Sequence, residues 1–217
     1  MATWELGLKA DLFDRRARFN VAAYRTTFGD RQVDFPSPAN PSNTETVNTD
    51  ADATIKGVEA DLTVVPLTGL TLNASYVYTD WDVPPDVSPF TGLSKQTTIA
   101  YTPKNAATAS VDYEFKPFSF GVLSAHLDAN YSGSFFTADP PAPKSDSYLI
   151  VNARLTLGEV RVGDNGGELA FSLWGKNLSN EEYSVFQFYL DAPGLIRGLN
   201  THLNDPRTYG AELTYKF

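Results

Sequence analysis

The chain is 217 residues long, has no cysteine, carries 26 acidic and 17 basic residues for a net charge of −9, and is 13% aromatic. That length fits one domain, the lack of cysteine excludes a disulfide framework and thiolate chemistry, and the acidic balance argues against nucleic acid as a partner. No stretch approaches about 18 consecutive apolar residues, so no transmembrane helix is expected, whereas membrane-crossing strands are short, alternate, and leave no such run.

Met1 leads straight into the alternating A-T-W-E-L-G-L-K. No charged and apolar leader precedes it, so no signal peptide is read, and the chain is expected to be the tail of a longer polypeptide. Side chains alternate between the two faces of a strand, and this period recurs along the chain. The first strand is read at Trp4 to Leu12, with Leu6, Leu8, Ala10 and Leu12 on one face, and turns at Phe13 to Arg16. The second runs from Ala17 to about Gly29, with Phe19, Val21 and Ala23 on that face. Asp30 to Asp52, rich in Pro, Asn, Thr and Ser, reads as loop. The third strand is Ala53 to about Val65, turning at Pro66 to Gly69, and the fourth is Leu70 to about Asp80. A second loop reaches about Pro103, and a fifth strand, Asn105 to Phe115, turns at Lys116 to Ser119. The sixth strand is Phe120 to about Thr137, followed by a Pro-rich loop, Ala138 to Lys144. The seventh is Asp146 to about Val160, with a D-N-G-G turn at Asp164 to Gly167 that suits a tight hairpin. The eighth starts near Glu168 and is read as running, with an irregularity, to Leu190, before a last loop from Asp191 to Asp205. The ninth is the terminal P-R-T-Y-G-A-E-L-T-Y-K-F, with Tyr209, Ala211, Leu213, Tyr215 and Phe217 on its apolar face.

Short turns near Asp14, Thr68, Pro117 and Asn165 alternate with long loops near Pro41, Pro89, Pro140 and Gly198. Outer-membrane barrels connect their strands in this way, with short periplasmic turns and long extracellular loops. The second face of each strand is polar, which suits a lumen if the apolar face meets lipid; in water that apolar face would aggregate. The expected fold is all-β, an antiparallel transmembrane β-barrel. Nine strands is odd, and single-chain bacterial barrels have even numbers, so further strands are expected before Met1.

Several segments resemble, in order, the C-terminal part of the barrel of TonB-dependent outer-membrane receptors. They are W-E-L-G-L-K-A-D-L-F-D-R-R-A-R-F-N-V-A-A-Y from Trp4, I-K-G-V-E-A-D-L from Ile55 with G-L-T-L-N-A-S-Y from Gly69, Y-T-P-K-N-A-A-T-A-S-V-D-Y from Tyr101, W-G-K-N-L-S-N-E-E-Y from Trp174, and the terminal strand. Asn180 stands where the family usually has Asp. The resemblance implies that residues 1–217 are the last nine strands of a 22-stranded barrel, without the plug domain. It also implies TonB-dependent uptake of a scarce ligand across the Gram-negative outer membrane, most aptly a ferric siderophore, with the TonB complex acting through the absent plug. Outer-membrane lipid and the barrel-assembly machinery are the other implied partners. The alternatives are a passive porin-like channel and a soluble β-barrel or sandwich binding module.

No catalytic constellation, cofactor motif or metal-ligand spacing is found, so the chain reads as a binding and transport protein and not an enzyme. Candidate ligand contacts are the loop and strand-end aromatics Trp81, Phe90, Phe136 and Tyr189, with Arg197 and His202 for an anionic ligand. Asn177, Leu178, Tyr183, Tyr209, Tyr215 and Phe217 carry the family signature and are read as structural. Asn tolerates unusual φ at a strand irregularity, Tyr183 suits a membrane interface, and the terminal aromatic strand resembles the signal read by the assembly machinery.

Overall fold

The structure is a computed structural model. It describes all residues except 41, 140–142, 164–165 and 193–195, and for residues 188–192 and 196–197 the backbone alone. The strands in chain order are β1 (Ala2–Leu12), β2 (Ala17–Phe28), β3 (Arg31–Pro36), β4 (Thr44–Thr49), β5 (Ala53–Leu67), β6 (Leu70–Asp82), β7 (Asp86–Val87), β8 (Ser94–Lys95), β9 (Asn105–Glu114), β10 (Val122–Ser132), β11 (Phe135–Phe136), β12 (Lys144–Ser145), β13 (Tyr148–Val162), β14 (Gly167–Lys176), β15 (Ser184–Ala192), β16 (Ile196–Leu203) and β17 (Thr208–Lys216).

Nine of them form one antiparallel up-and-down sheet, ordered β1-β2-β5-β6-β9-β10-β13-β14-β17. Its register aligns the apolar residues row by row. One row reads Leu8, Val21, Ala60, Tyr76, Ala107, Tyr131 and Leu149 across seven strands. A one-residue slip anywhere would turn a strand's apolar set onto the polar face, so the alternation itself holds the register. The apolar face is open: Leu8 is 59%, Leu127 48% and Leu213 68% exposed. Exposed aromatics stand at both ends of the strands, with Trp4, Tyr131 and Tyr209 toward the long connections and Phe13, Phe118, Phe120, Tyr215 and Phe217 toward the short ones. Such paired girdles are the mark of strands that cross a bilayer.

The opposite face carries a continuous polar mesh. Ser75 and Thr108 hydroxyls lie 2.7 Å apart, and Asn73 Nδ2 donates to Ser110 Oγ at 3.3 Å. His126 places Nδ1 2.6 Å from Asp112 and Nε2 3.3 Å from Asp128, and Asn152 Nδ2 donates to Asp128 at 2.8 Å. Arg154 reaches across β14, donating to Ser172 Oγ at 2.9 Å and to Glu212 Oε2 at 3.0 Å. In β17, Gly210 lies opposite Trp174, and a Cβ there would collide with the indole, so the aromatic covers the bare glycine.

The long connections differ from the sequence expectation. Asp30 to Asp52 is read as loop but contains the six-residue pair β3–β4, because Val33 and Phe35 alternate with Gln32 and Asp34 and are buried at 7% and 3%. The second loop contains the short pair β7–β8. The sixth strand is expected to run from Phe120 to Thr137, but β10 ends at Ser132 and the short β11 pairs with β12 instead. The eighth strand, expected to run to Leu190, stops at Lys176, and Asn177 takes φ +50°. β15 leaves the sheet and, among the described residues, pairs with β16, inside what reads as the last loop. At the other end, the turn from β1 to β2 holds Phe13, Asp14 and Arg15 at positive φ and is closed by Arg16 N donating to Phe13 O at 3.0 Å. Asp164 and Asn165 of the D-N-G-G turn, and the loop markers Pro41 and Pro140, lie outside the described residues.

Candidate ligand surface in the outer hairpins

A single-layer sheet has little interior, and burial gathers elsewhere. Val33, Phe35, Ser37, Asp86, Ser88, Phe135, Thr137, Ser145, Asn177 and Gln187 are all buried, and all lie in the long connections. These connections form hairpins tied to one another in series.

The first tie is an ion pair. Arg31, at the start of β3, donates Nη2 to Asp86 Oδ1 at 2.7 Å and Nη1 to Oδ2 at 3.4 Å. Thr97 Oγ1 also donates to Asp86 Oδ2 at 2.9 Å, and the remaining Arg31 donors reach Ala51 O and Pro84 O. The Asp86 side chain is 0% and that of Arg31 14% exposed. A buried carboxylate needs such saturation, because stripping its water is costly. Lys95 Nζ adds a link to Asp34 O at 3.4 Å.

The second and third hairpins meet where Thr98 N donates to Asp139 Oδ1 at 2.9 Å and Tyr101 N to Phe136 O at 2.7 Å. The third and fourth meet where Thr137 Oγ1 donates to Gln187 Oε1 at 3.3 Å and Ser145 Oγ to Ser184 O at 2.8 Å.

The signature residues anchor the fourth hairpin. Asn177 is 5% exposed; its Nδ2 donates to Glu181 O at 2.8 Å and Asp205 O at 3.1 Å, while its Oδ1 accepts from Glu181 N at 2.9 Å. One side chain in the left-handed region thus satisfies both limbs of the exit from β14, as Asn can. Leu178 N donates to Val151 O at 2.7 Å, and Asn180 also has positive φ, +55°. Tyr183 stacks on Tyr148 with ring centroids 3.7 Å apart. Burial, aided by Tyr148 and Asp205, pushes its hydroxyl up to about 12.

Among the described residues, the sequence candidates are spread over this layer. Trp81 is half-buried near the end of β6, its ring centroid 5.8 Å from Lys104 Nζ. Phe90 is 38% exposed in the link between β7 and β8. Phe136 in β11 has Lys144 Nζ 4.8 Å from its centroid. His202 in β16 is exposed and pairs with Phe186. Tyr189 and Arg197 pair with Leu199 and Asp191 in the same hairpin, and their side chains lie outside the described residues. Sequence reasoning missed Arg31, Asp86 and Thr97; no motif marks them, although the Val33/Phe35 alternation beside Arg31 does point to a buried hairpin.

The model of the family "TonB dependent receptor-like, beta-barrel" matches residues 2–178. The chain is 29% identical over 136 residues to the ferrichrome outer membrane transporter/phage receptor of Escherichia coli (strain K12), an alignment covering 62% of this chain and 17% of that protein. It is 26% identical over 138 residues to an uncharacterized TonB-dependent receptor of Haemophilus influenzae, covering 59% and 37%. Among solved structures, the ferric yersiniabactin uptake receptor FyuA from Yersinia pestis superposes with a TM-score of 0.72 at 18% identity, over 98% of this chain and 29% of that one. The siderophore receptor PiuA from Acinetobacter baumannii gives 0.70 at 19% identity, over 98% and 28%. The chain therefore spans well under half the length of these relatives, and the structural likeness bears on the fold.

Proposed function

The chain belongs to the TonB-dependent receptor β-barrel family, and from that premise we propose that it forms part of the wall of an outer-membrane receptor that takes up a ferric siderophore. The family consists of receptors and transporters of the Gram-negative outer membrane, not enzymes. On this reading β1 and β17, the two edges of the sheet, pair with further strands that close a 22-stranded barrel around a plug, because open edges inside lipid leave unpaired backbone groups. The plug passes on the energy supplied through TonB, and the barrel-assembly machinery reads the terminal strand ending at Phe217.

The observation that carries the siderophore reading is the hairpin layer: four connections, cross-tied and locally buried, present aromatic and cationic side chains together above a polar face. Phe136 with Lys144 is such a pair, suited to an anionic chelate with aromatic or apolar arms. The kinship with a ferrichrome transporter supports the same ligand class. Trp81, Phe90, Phe136, Tyr189, Arg197 and His202 are the contacts proposed. Quenching of tryptophan fluorescence by a panel of ferric siderophores, with the purified receptor in detergent, tests the reading. Saturable quenching by one chelate, weakened by Phe136→Ala and Arg197→Ala, is expected; no saturable binding by any chelate would refute it.

A further inference from the structure

The apolar face of the sheet is interrupted by one row of charge. Trp4, Arg25, Lys56 and Asp80 are cross-strand neighbours in register on β1, β2, β5 and β6, and Lys104 stands beside Asp80. The row lies at the hairpin end of the strands, on the same face as Leu6, Ala23, Val58 and Tyr78. Arg25 and Lys56 oppose each other directly, and like charges so placed repel. One carboxylate serves two lysines: Asp80 lies 3.4 Å from Lys56 Nζ and 2.5 Å from Lys104 Nζ. Among the described residues Arg25 has no acidic partner within ion-pair distance. Three exposed cations thus stand beside one anion, which pairs with the two lysines, on a protein whose net charge is −9. The next acid on this face, Asp82, sits one row further out, opposite Thr54.

Below the row lies a second feature of the same face. Phe19, Leu62, Ala74, Tyr76, Ala109 and Ala129 line a groove of about 410 Å³, its floor made shallow by the alanines. The groove begins about four residues down the strands from the cations, roughly 13 Å at about 3.3 Å per residue. Strands tilted by about 45° turn that into roughly 9 Å of depth, past a headgroup layer of about 5–7 Å per leaflet.

We propose that this face binds a phosphorylated, acylated lipid of the outer leaflet, its phosphate held by Arg25, Lys56 and Lys104 and an acyl chain lying in the alanine-floored groove. Phosphate supplies the acceptors that the excess cations lack, and the chain fills apolar space that bulk lipid would otherwise cover. The assignment rests on the placement of the strands in the outer membrane and is independent of which ligand the receptor imports.

The test uses the protein purified from outer membranes and stripped of lipid in mild detergent, with folding checked by heat-modifiable gel mobility. Lipid A is added and its retention followed by native mass spectrometry, with inorganic phosphate in a parallel arm. Each cation neutralised in R25Q, K56Q and K104Q should weaken lipid A binding about fivefold, and the triple variant about a hundredfold. Ala109→Trp, which fills the groove, should weaken lipid A binding and leave phosphate unaffected. Undiminished binding by the folded triple variant would overturn the proposal, and inorganic phosphate binding as tightly as lipid A would reduce the site to one for free anions. If the triple variant does not fold, the wild type decides: retention must fall as salt rises, and salt-independent retention overturns the assignment.

Discussion

Replacing Arg31 by methionine should open the outer hairpin layer while leaving the sheet below it intact. The structure sets both the size and the asymmetry of the effect. The Asp86 carboxylate has no exposed surface, and two of its bonds come from Arg31. Arg31→Met leaves a buried carboxylate with Thr97 as its remaining side-chain donor. Breaking a buried pair from one side costs about 3–5 kcal/mol. At about 1.4 kcal/mol per tenfold, local opening of the hairpins should rise about a hundredfold to a few thousandfold. Asp86→Asn is the contrast. It removes the charge, keeps the shape, and leaves a guanidinium that still reaches Ala51 O, Pro84 O and some water, so opening should rise only about tenfold. Hydrogen exchange of the detergent-solubilised receptor reads both. Protection should fall across residues 31–49 and 86–95, most in the methionine variant, and hold in β9, β10 and β13. Equal effects of the two variants, or a uniform loss of protection over the main sheet, would refute the account of a saturated buried pair.

Three further outcomes follow from particular residues. Asn177→Ala removes the bonds to Glu181 and Asp205 and puts a Cβ residue with no polar group at φ +50°, so the thermal transition of the folded barrel should reflect a loss of about 2–4 kcal/mol; Asn177→Gly, which relieves the backbone alone, should lose less. The raised Tyr183 hydroxyl gives a signed pH effect: stability is unaffected below pH 10, the ordinary tyrosine value, and declines between about 10 and about 12 as the unfolded chain ionises first, a decline that Tyr183→Phe should abolish in alkaline unfolding. Deleting Phe217, which is fully exposed at the end of the apolar face, should cut insertion into the outer membrane as measured in membrane fractions, and normal insertion would sink its role as an assembly signal.

The sheet was legible in the sequence because lipid on one side and polar contacts on the other impose the same two-residue period on every strand, as in Leu6–Leu8–Ala10–Leu12 against Ala17–Phe19–Val21–Ala23. The hairpins were less legible, since their short strands are held by contacts distant in sequence. Arg31 meets Asp86 across 55 residues, and Thr137 meets Gln187 across 50. Propensity pointed the wrong way at β16, whose Gly198 and Asn200 read as loop, yet β15 supplies a partner for nearly every residue of it. The strand break after Lys176 was half legible. Asn177 marks an irregularity, but only its bonds to Glu181 and Asp205 reveal that the chain leaves the sheet there. The candidate contacts came from aromatic residues near strand ends, a rule that finds Trp81 and Phe136 and is blind to Arg31 and Asp86, whose part is to hold the layer together.

Uptake of labelled iron tests the central claim most directly. A strain lacking its other siderophore receptors is supplied with a panel of ferric siderophores, with and without the gene for this protein, and with and without TonB. The account predicts that uptake of at least one chelate requires both the gene and TonB. Uptake that depends on the gene but continues at full rate without TonB would contradict it and make the protein a passive pore.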